Sequence, residues 1–186
     1  MISYRKLIPC IYIAGGKAIK WFNDREVLAD NVVELAKHYS DRGADELLIF
    51  DLSDEDVLQG CIYVKLKEEP TEEVQVRSIG NTVRTGIKVL ERMEDVQRIL
   101  YSGAKRVILN FSKPDSAEMM AKAAERFGKE KVAVSLDDFD GLFKHQHLIE
   151  ANCSQLIFMH RLDLNSVVAV TDIPCVIVTD TMEELE

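Results

Sequence analysis

The segment DNVVELAKHYSDRGADELLIFDL, residues 30–52, joins an amphipathic helix to an apolar strand and decides the fold class of the chain. Its apolar residues recur at helical spacing up to Gly43, a residue type that commonly ends helices, and the strand ELLIFDL follows. This strand is apolar almost throughout and lacks the alternation of a half-exposed strand, so we expect both of its faces to be covered. The segment therefore predicts a parallel sheet with helices packed against it.

The same helix-and-strand unit recurs along the chain. RMEDVQRILYSGAKRVILNF, residues 92–111, repeats it with matching apolar positions, and further copies begin near residues 116, 141 and 165. With LIPCIYI, residues 7–13, as the first strand, and with one uncertain third strand, we expect about seven strands in a single α/β domain over residues 1–186. The alternation is compatible with a doubly wound sheet or with a barrel.

Residues 53–90 depart from the repeat and are predicted to be a divergent or inserted region. CIYVKLKEEP, residues 61–70, is consistent with an extra strand that ends at a proline. The third strand of the repeat is then either EVQVRSI, residues 73–79, or GIKVL, residues 86–90. Both alternatives stay open at this stage.

Composition and charge exclude several classes of protein. The 186 residues are 47% hydrophobic and carry a net charge of −9, without a Lys/Arg cluster, so nucleic acid is not an expected partner. The sequence has neither an apolar run of membrane-spanning length nor the apolar region of a signal peptide, so we expect a cytoplasmic protein that does not enter a membrane. The four cysteines lie far apart without a CxxC pair, which is typical of reduced thiols in a core.

The double glycine in LIPCIYIAGGKAIKWF, residues 7–22, raises the question of a phosphate loop. A P-loop needs GxxxxGK followed by Ser or Thr, whereas Gly16 and Lys17 are followed by alanine. The segment therefore predicts a β-hairpin. Lys20 would lie on its returning strand and, if the sheet closes into a barrel, project over the barrel mouth.

Polar residues at the carboxyl ends of the predicted strands are the candidates for chemistry, because parallel α/β folds place their sites there. Asp51 and Asp137 each close a strand and could act as proton donor and acceptor, although a strand-end aspartate can instead cap the next helix. Asn110 and Ser112, in NFSKPDS, are typical of a phosphate site before a helix, or of a helix cap. We expect no metal site and no cofactor, since the pair His145 and His147 points to different faces of its predicted helix.

Together these segments resemble one family, the histidine-biosynthesis (β/α)8 barrels, which includes the cyclase subunit of imidazole glycerol phosphate synthase and ProFAR isomerase. The resemblance lies in LIPCIYIAGGKAIKWF with residues 30–53, in MEDVQRILYSGAKRVILNFS and in ERFGKEKVAVSLD. The IPC of the first strand is closer to the cyclase. The resemblance implies a barrel of two similar halves, each holding one phosphate of a bisphosphate ligand. It also implies acid–base carboxylates on strands one and five and ammonia delivered by a glutaminase partner.

The resemblance also assigns roles to single residues. Asp137 matches the strand-five catalytic aspartate, Asp51 the strand-two aspartate, Lys20 the lysine of the first hairpin, and Asn110 a phosphate-side position on strand four. The strand-one catalytic aspartate, however, falls on Tyr12. A tyrosine has a pKa of about 10 and is a poor substitute for a carboxylate base at neutral pH.

Three further departures concern the expected phosphate sites. The glycine-rich loop after strand three is absent unless SIGNTVR, residues 78–84, is its remnant; Thr179, Asp180 and Thr181 replace a Ser-Gly-Gly; and an eighth unit is not found. With these departures the chain resembles the degenerate barrel domain that some bacteria fuse to phosphoribosyl-AMP cyclohydrolase and phosphoribosyl-ATP pyrophosphatase domains, and this resemblance implies a fragment or a truncated relative.

We therefore expect a shortened TIM-barrel-like fold with reduced or lost cyclase activity. One alternative is a non-catalytic domain that binds a phosphorylated metabolite or docks a partner enzyme, and another is a sugar-phosphate isomerase of the ProFAR isomerase type. The expected partners are a phosphorylated small molecule and a glutaminase subunit or fused histidine-pathway domain. Because a missing unit leaves open sheet edges, a homodimer is also expected unless residues 53–90 cover the gap.

Overall fold

The computed structural model of the chain describes residues 8–44, 46–52, 59–64, 90, 92–160, 166 and 170–178. In these residues the strands are β1 (Cys10–Ala14), β2 (Lys17–Trp21), β3 (Asp24–Ala29), β4 (Glu46–Asp51), β5 (Gln59–Val64), β6 (Arg106–Asn110), β7 (Val132–Leu136), β8 (Gln155–Phe158) and β9 (Cys175–Ile177). The helices are α1 (Val32–Asp41), α2 (Met93–Tyr101), α3 (Ser116–Phe127) and α4 (Phe139–Asn152), with a short 3-10 turn at Lys129–Lys131.

All of these strands form one sheet in the order β3-β2-β1-β4-β5-β6-β7-β8-β9. Strand β1 is parallel to β4, and β6, β7, β8 and β9 are parallel to one another. Strand β5 is antiparallel to both β4 and β6, so the parallel strands on either side of it run in the same direction. The predicted α/β fold with a parallel sheet is thus confirmed. Within the described part of the chain the sheet is open, with β3 and β9 at its edges.

The described strands differ from the predicted set at two places. The sheet has nine strands in the described residues, against about seven predicted, because the hairpin and the residues after it contribute β2 and β3. Strand β5 occupies the place between the second and fourth repeat strands and overlaps the predicted extra strand. The two candidates for the third repeat strand lie outside the described residues, apart from Leu90.

The double glycine forms the turn of a hairpin, as predicted. Strands β1 and β2 pair antiparallel up to Ala14 and Lys17, which leaves a two-residue loop. Gly15 and Gly16 have φ angles of 57° and 78°. Positive φ at both loop residues is the requirement of a type I′ turn, whose twist matches that of the flanking strands. This turn directs the chain into β2 and β3.

The helices pack on one face of the sheet. The strand side chains alternate between two apolar clusters, and helix residues belong to one of the two. The cluster on the helix-covered face includes Val107 and Val134 with residues of all four helices. The cluster on the other face includes Tyr12, Phe50 and Ile108 and contains strand and loop residues alone among those described. By the alternation of strand side chains, Asn110 and Ser135 are in register with this second face. None of the helices in the described residues combines the length and hydrophobicity that a membrane span requires.

Candidate functional site

The candidate site lies at the carboxyl ends of β6 and β7, two neighbouring parallel strands. Asn110, the last residue of β6, lies opposite Ser135 on β7. The backbone N–H of Phe111 donates to the carbonyl of Ser135 at 3.0 Å, so the pairing continues one residue past the end of β6. This register brings the loop after Asn110 beside Asp137, which follows β7.

Asn110 holds the loop NFSKPDS in a tight turn. Its Oδ1 accepts a hydrogen bond from the backbone N–H of Ser112 at 2.8 Å, an arrangement by which asparagine side chains mimic a backbone turn. Its carbonyl accepts from the backbone N–H of Lys113 at 3.2 Å and from the hydroxyl of the buried Ser116 at 2.6 Å. The turn is therefore fixed from the side chain and from the backbone.

The structure brings three of the predicted site residues together. The hydroxyl of Ser112 donates to Oδ2 of Asp137 at 2.8 Å, and both side chains are exposed at the end of the sheet. The next residue, Asp138, caps α4 and accepts from the N–H of Gly141 at 3.2 Å. Asp138 therefore provides the helix cap, while Asp137 contacts the loop after β6.

Asp51 lies at the end of β4, opposite Ile13 on β1 and Gln59 on β5. Along β4, Leu48 and Phe50 belong to the helix-free cluster, whereas Leu47 and Ile49 belong to the helix-covered one. Successive strand side chains point to opposite faces, which puts Asp51 in register with the helix-covered set. Its position in the sheet thus differs from that of Asp137.

Lys20 lies on β2 and contacts carboxylates of the neighbouring strand β3. Its Nζ is 3.7 Å from Oδ2 of Asp24 and 3.5 Å from Oε2 of Glu26. The side chain is 61% exposed, so these ion pairs are weak and leave the lysine free to move toward an anion. The described contacts therefore associate Lys20 with β3 and do not group it with Asn110, Ser112 and Asp137.

The residue at the strand-one position, Tyr12, lies in an aromatic cluster on the helix-free face. It is 2% exposed and stacks on Phe50 with ring centroids 5.7 Å apart and an angle of 15°. Trp21 meets it edge-on at 5.2 Å, and Phe22 lies 6.1 Å away. Sequence reasoning identified Tyr12 but missed the cluster. The hairpin could have indicated it, because a two-residue turn pairs Tyr12 with Ile19 and brings Trp21 back to the same strand.

Two cysteines beside the sheet, the half-buried Cys10 and the buried Cys153, have thiols with raised pKa values. Burial raises the pKa of Cys10 to about 12 and that of Cys153 to about 11. These thiols are therefore protonated at neutral pH and are poor nucleophiles. Among the described residues, no group of three His, Cys, Asp or Glu side chains is arranged to hold a metal ion. The candidates Thr179 and Asp180 lie outside the described residues.

Comparisons with known proteins agree with this architecture. A family model described as "Histidine biosynthesis protein" matches residues 6–178. The imidazole glycerol phosphate synthase subunit HisF of Clostridium botulinum (strain Alaska E43 / Type E3) is 32% identical over 134 residues, which cover 72% of this chain and 50% of that protein. HisF of Tolumonas auensis is 34% identical over 137 residues, 73% of this chain and 50% of that protein.

HisF of Methanoregula boonei is 30% identical over 138 residues, which cover 74% of this chain and 49% of that protein. The chain thus spans about half the length of the curated relatives that it matches. The family match covers almost the whole sequence, from ahead of the first strand to the end of the described residues. The chain belongs to the histidine biosynthesis protein family.

Proposed function

We propose that this chain is a histidine-biosynthesis barrel homologue in which the cyclase activity of its HisF relatives is reduced or lost. The observation that carries the proposal is the burial of Tyr12, which stands at the position where the resemblance places a catalytic aspartate. Its ring is 2% exposed and packs against Phe50, Trp21 and Phe22. General acid–base catalysis needs a group with a pKa near the working pH, and a tyrosine buried in an aromatic cluster does not provide one.

We further propose that Asp137 keeps the acid–base role that the resemblance assigns to strand five. It is exposed at the end of β7, where a ligand above the sheet can reach it. Asn110 lies across the strand ends from it and would contact a phosphate of the ligand through its side-chain amide, beside the loop that carries Ser112. Asp51 and Lys20 are proposed to act with Asp137, Lys20 by reaching over from its exposed position on β2. The proposed ligand is a phosphorylated small molecule, bound without a metal or cofactor.

The proposed fold is a TIM-barrel-like (β/α) repeat with about seven repeat strands over residues 1–186. The family match over residues 6–178 and the parallel strands of the described sheet support it. A chain of this kind would work in the cytoplasm with a glutaminase subunit or a fused histidine-pathway domain, since the matched relatives are named as subunits of a synthase.

Ammonia-dependent turnover of the cyclase's bisphosphate substrate tests the proposal, with HisF of Clostridium botulinum assayed alongside. Loss of one acid–base group costs about 100-fold or more, so we expect turnover at least that far below the relative's. Asp137→Asn should remove whatever turnover is left, while Asp41→Asn, an exposed carboxylate at the end of α1, should leave it unchanged. Turnover within tenfold of the relative's would refute the proposal.

A second candidate function, a domain that docks a protein, is favoured by the edge strand β3. Val27 and Leu28 on this strand are 48% and 55% exposed, and β3 is an edge of the sheet in the described residues. Exposed apolar edges are templates for pairing with another chain, and we propose a second copy of this chain as the occupant. Light scattering should give a dimer that Val27→Lys converts to a monomer; a wild-type monomer would contradict the docking function.

A further inference from the structure

The hydroxyl of Ser112 can donate its hydrogen bond either to a ligand or to Asp137, but not to both at once. A serine hydroxyl carries a single proton to donate. In the structure this proton is directed to Oδ2 of Asp137, at an oxygen–oxygen distance of 2.8 Å, which is the usual length of such a bond. A phosphate oxygen at the Ser112 hydroxyl would have to displace the carboxylate as the acceptor.

The backbone of the loop fixes Ser112 for this contact. Its N–H donates to Oδ1 of Asn110 at 2.8 Å, and Asn110 is itself held by the hydroxyl of the buried Ser116 at 2.6 Å. The parallel register of β6 and β7 then sets the loop against Asp137. The hydrogen bonds of the turn therefore set the backbone position from which the Ser112 hydroxyl reaches the carboxylate.

The carboxylate of Asp137 has no comparable support on its own strand. It follows the end of β7 and is exposed, and in the described part of the chain the hydrogen bond from Ser112 is the one that it accepts. A hydrogen bond to one carboxylate oxygen fixes the rotation of the side chain and leaves Oδ1 for a proton or a ligand. Hydrogen bonds to charged acceptors are stronger than neutral ones, which suits this role.

We infer that Ser112 is a positioning residue that orients the Asp137 carboxylate, and that phosphate contact at this loop falls to the side-chain amide nitrogen of Asn110, because the backbone N–H groups of residues 111–113 donate within the protein. This inference rests on the proposed acid–base role of Asp137. It replaces the phosphate-contact role of Ser112 with an indirect one, in which the hydroxyl acts through the carboxylate. The two roles differ in what the loss of the hydroxyl does to kcat and to KM.

The direct test is the carboxyl ¹³C signal of Asp137 in the full chain, prepared with carboxyl-labelled aspartate and assigned with Asp137→Asn. Ser112→Ala should shift this signal and Ser112→Thr, which keeps the hydroxyl, should restore it. Ser102→Ala is the matched control, because it removes a serine hydroxyl that bonds to the carbonyl of Ile99 at the end of α2. A signal that does not respond to Ser112→Ala would overturn the inference.

Residual turnover gives a second readout, which separates positioning from phosphate contact. For a positioning residue, kcat of Ser112→Ala should fall about fivefold with KM unchanged, as expected for the loss of one hydrogen bond. A rise in KM at constant kcat would assign Ser112 to the phosphate and overturn the inference. Full cyclase turnover by the wild type would refute the proposed loss of activity, whereas the positioning role of Ser112 is judged by the ¹³C signal. Failure of the proposed function and failure of this inference are therefore distinguishable.

Discussion

Tyr12→Asp puts back the carboxylate that the family resemblance places on strand one, and we expect it to destabilise the protein rather than restore a site. The ring is 2% exposed and contacts Phe50, Trp21 and Phe22. Removing a buried aromatic side chain costs about 3–5 kcal/mol, and a carboxylate in the same place adds the cost of a buried polar group. We therefore expect a loss of about 4 kcal/mol or more in the free energy of unfolding.

Urea unfolding at pH 7 measures this loss, with Tyr12→Phe as the control that keeps the ring. With a slope of about 2 kcal/mol per M of urea, the midpoint of Tyr12→Asp should fall by about 2 M. Tyr12→Phe keeps the ring and its contacts with Phe50, Trp21 and Phe22, so its midpoint should fall far less than that of Tyr12→Asp. Equal midpoints for the two variants would show that the aromatic cluster does not pack as described.

The pH dependence of Tyr12→Asp provides an independent check. Burial raises the pKa of a carboxyl group, so the introduced carboxyl stays neutral in the folded chain while it ionises in the unfolded chain above pH of about 4. Ionisation of the unfolded state alone draws the equilibrium toward unfolding. The stability gap between wild type and Tyr12→Asp should therefore widen from pH 4 to pH 7. A gap that is constant over this range would contradict the buried position.

Three further predictions address the thiols, a helix cap and the hairpin. Burial raises the pKa of Cys153 from 9.0 to about 11, so the thiol ionises in the unfolded chain before it does so in the folded chain, and the wild type loses stability as the pH rises from 9 to 11. Cys153→Ala lacks this thiol and should lose about 3 kcal/mol less than wild type over the same interval in urea unfolding; parallel curves would contradict it. Asn31 accepts from the N–H groups of Val33 and Glu34 at the start of α1, so Asn31→Ala should lower the free energy of unfolding by about 1 kcal/mol and Asn31→Asp should not. Gly16 has a φ of 78°, so Gly16→Ala should cost about 1 kcal/mol in thermal unfolding, with Gly16→Asn less harmful; the reverse order would refute the type I′ turn.

Local patterns predicted the elements that depend on neighbouring residues. The helical spacing before Gly43, the apolar strand after it and the double glycine each encode a local structure, and helix α1, strand β4 and the β1–β2 hairpin form where these patterns lie. Strand ends likewise follow from the apolar runs, which is why Asn110 and Asp137 could be named as candidates. Strand β3 was missed because DREVLA begins with three charged residues, and an edge strand can form with little apolar pattern.

The sequence by itself determined the α/β repeat, the hairpin and the polar residues at the strand ends, because these follow from periodicity and turn chemistry within a few residues. The tertiary structure alone decided that Ser112 meets Asp137, 25 residues away, and that Tyr12 packs among Phe50, Trp21 and Phe22. It also decided that β5 runs antiparallel between β4 and β6. The reason is that strand register and direction are set by pairing and burial across the whole sheet, which a local pattern does not contain.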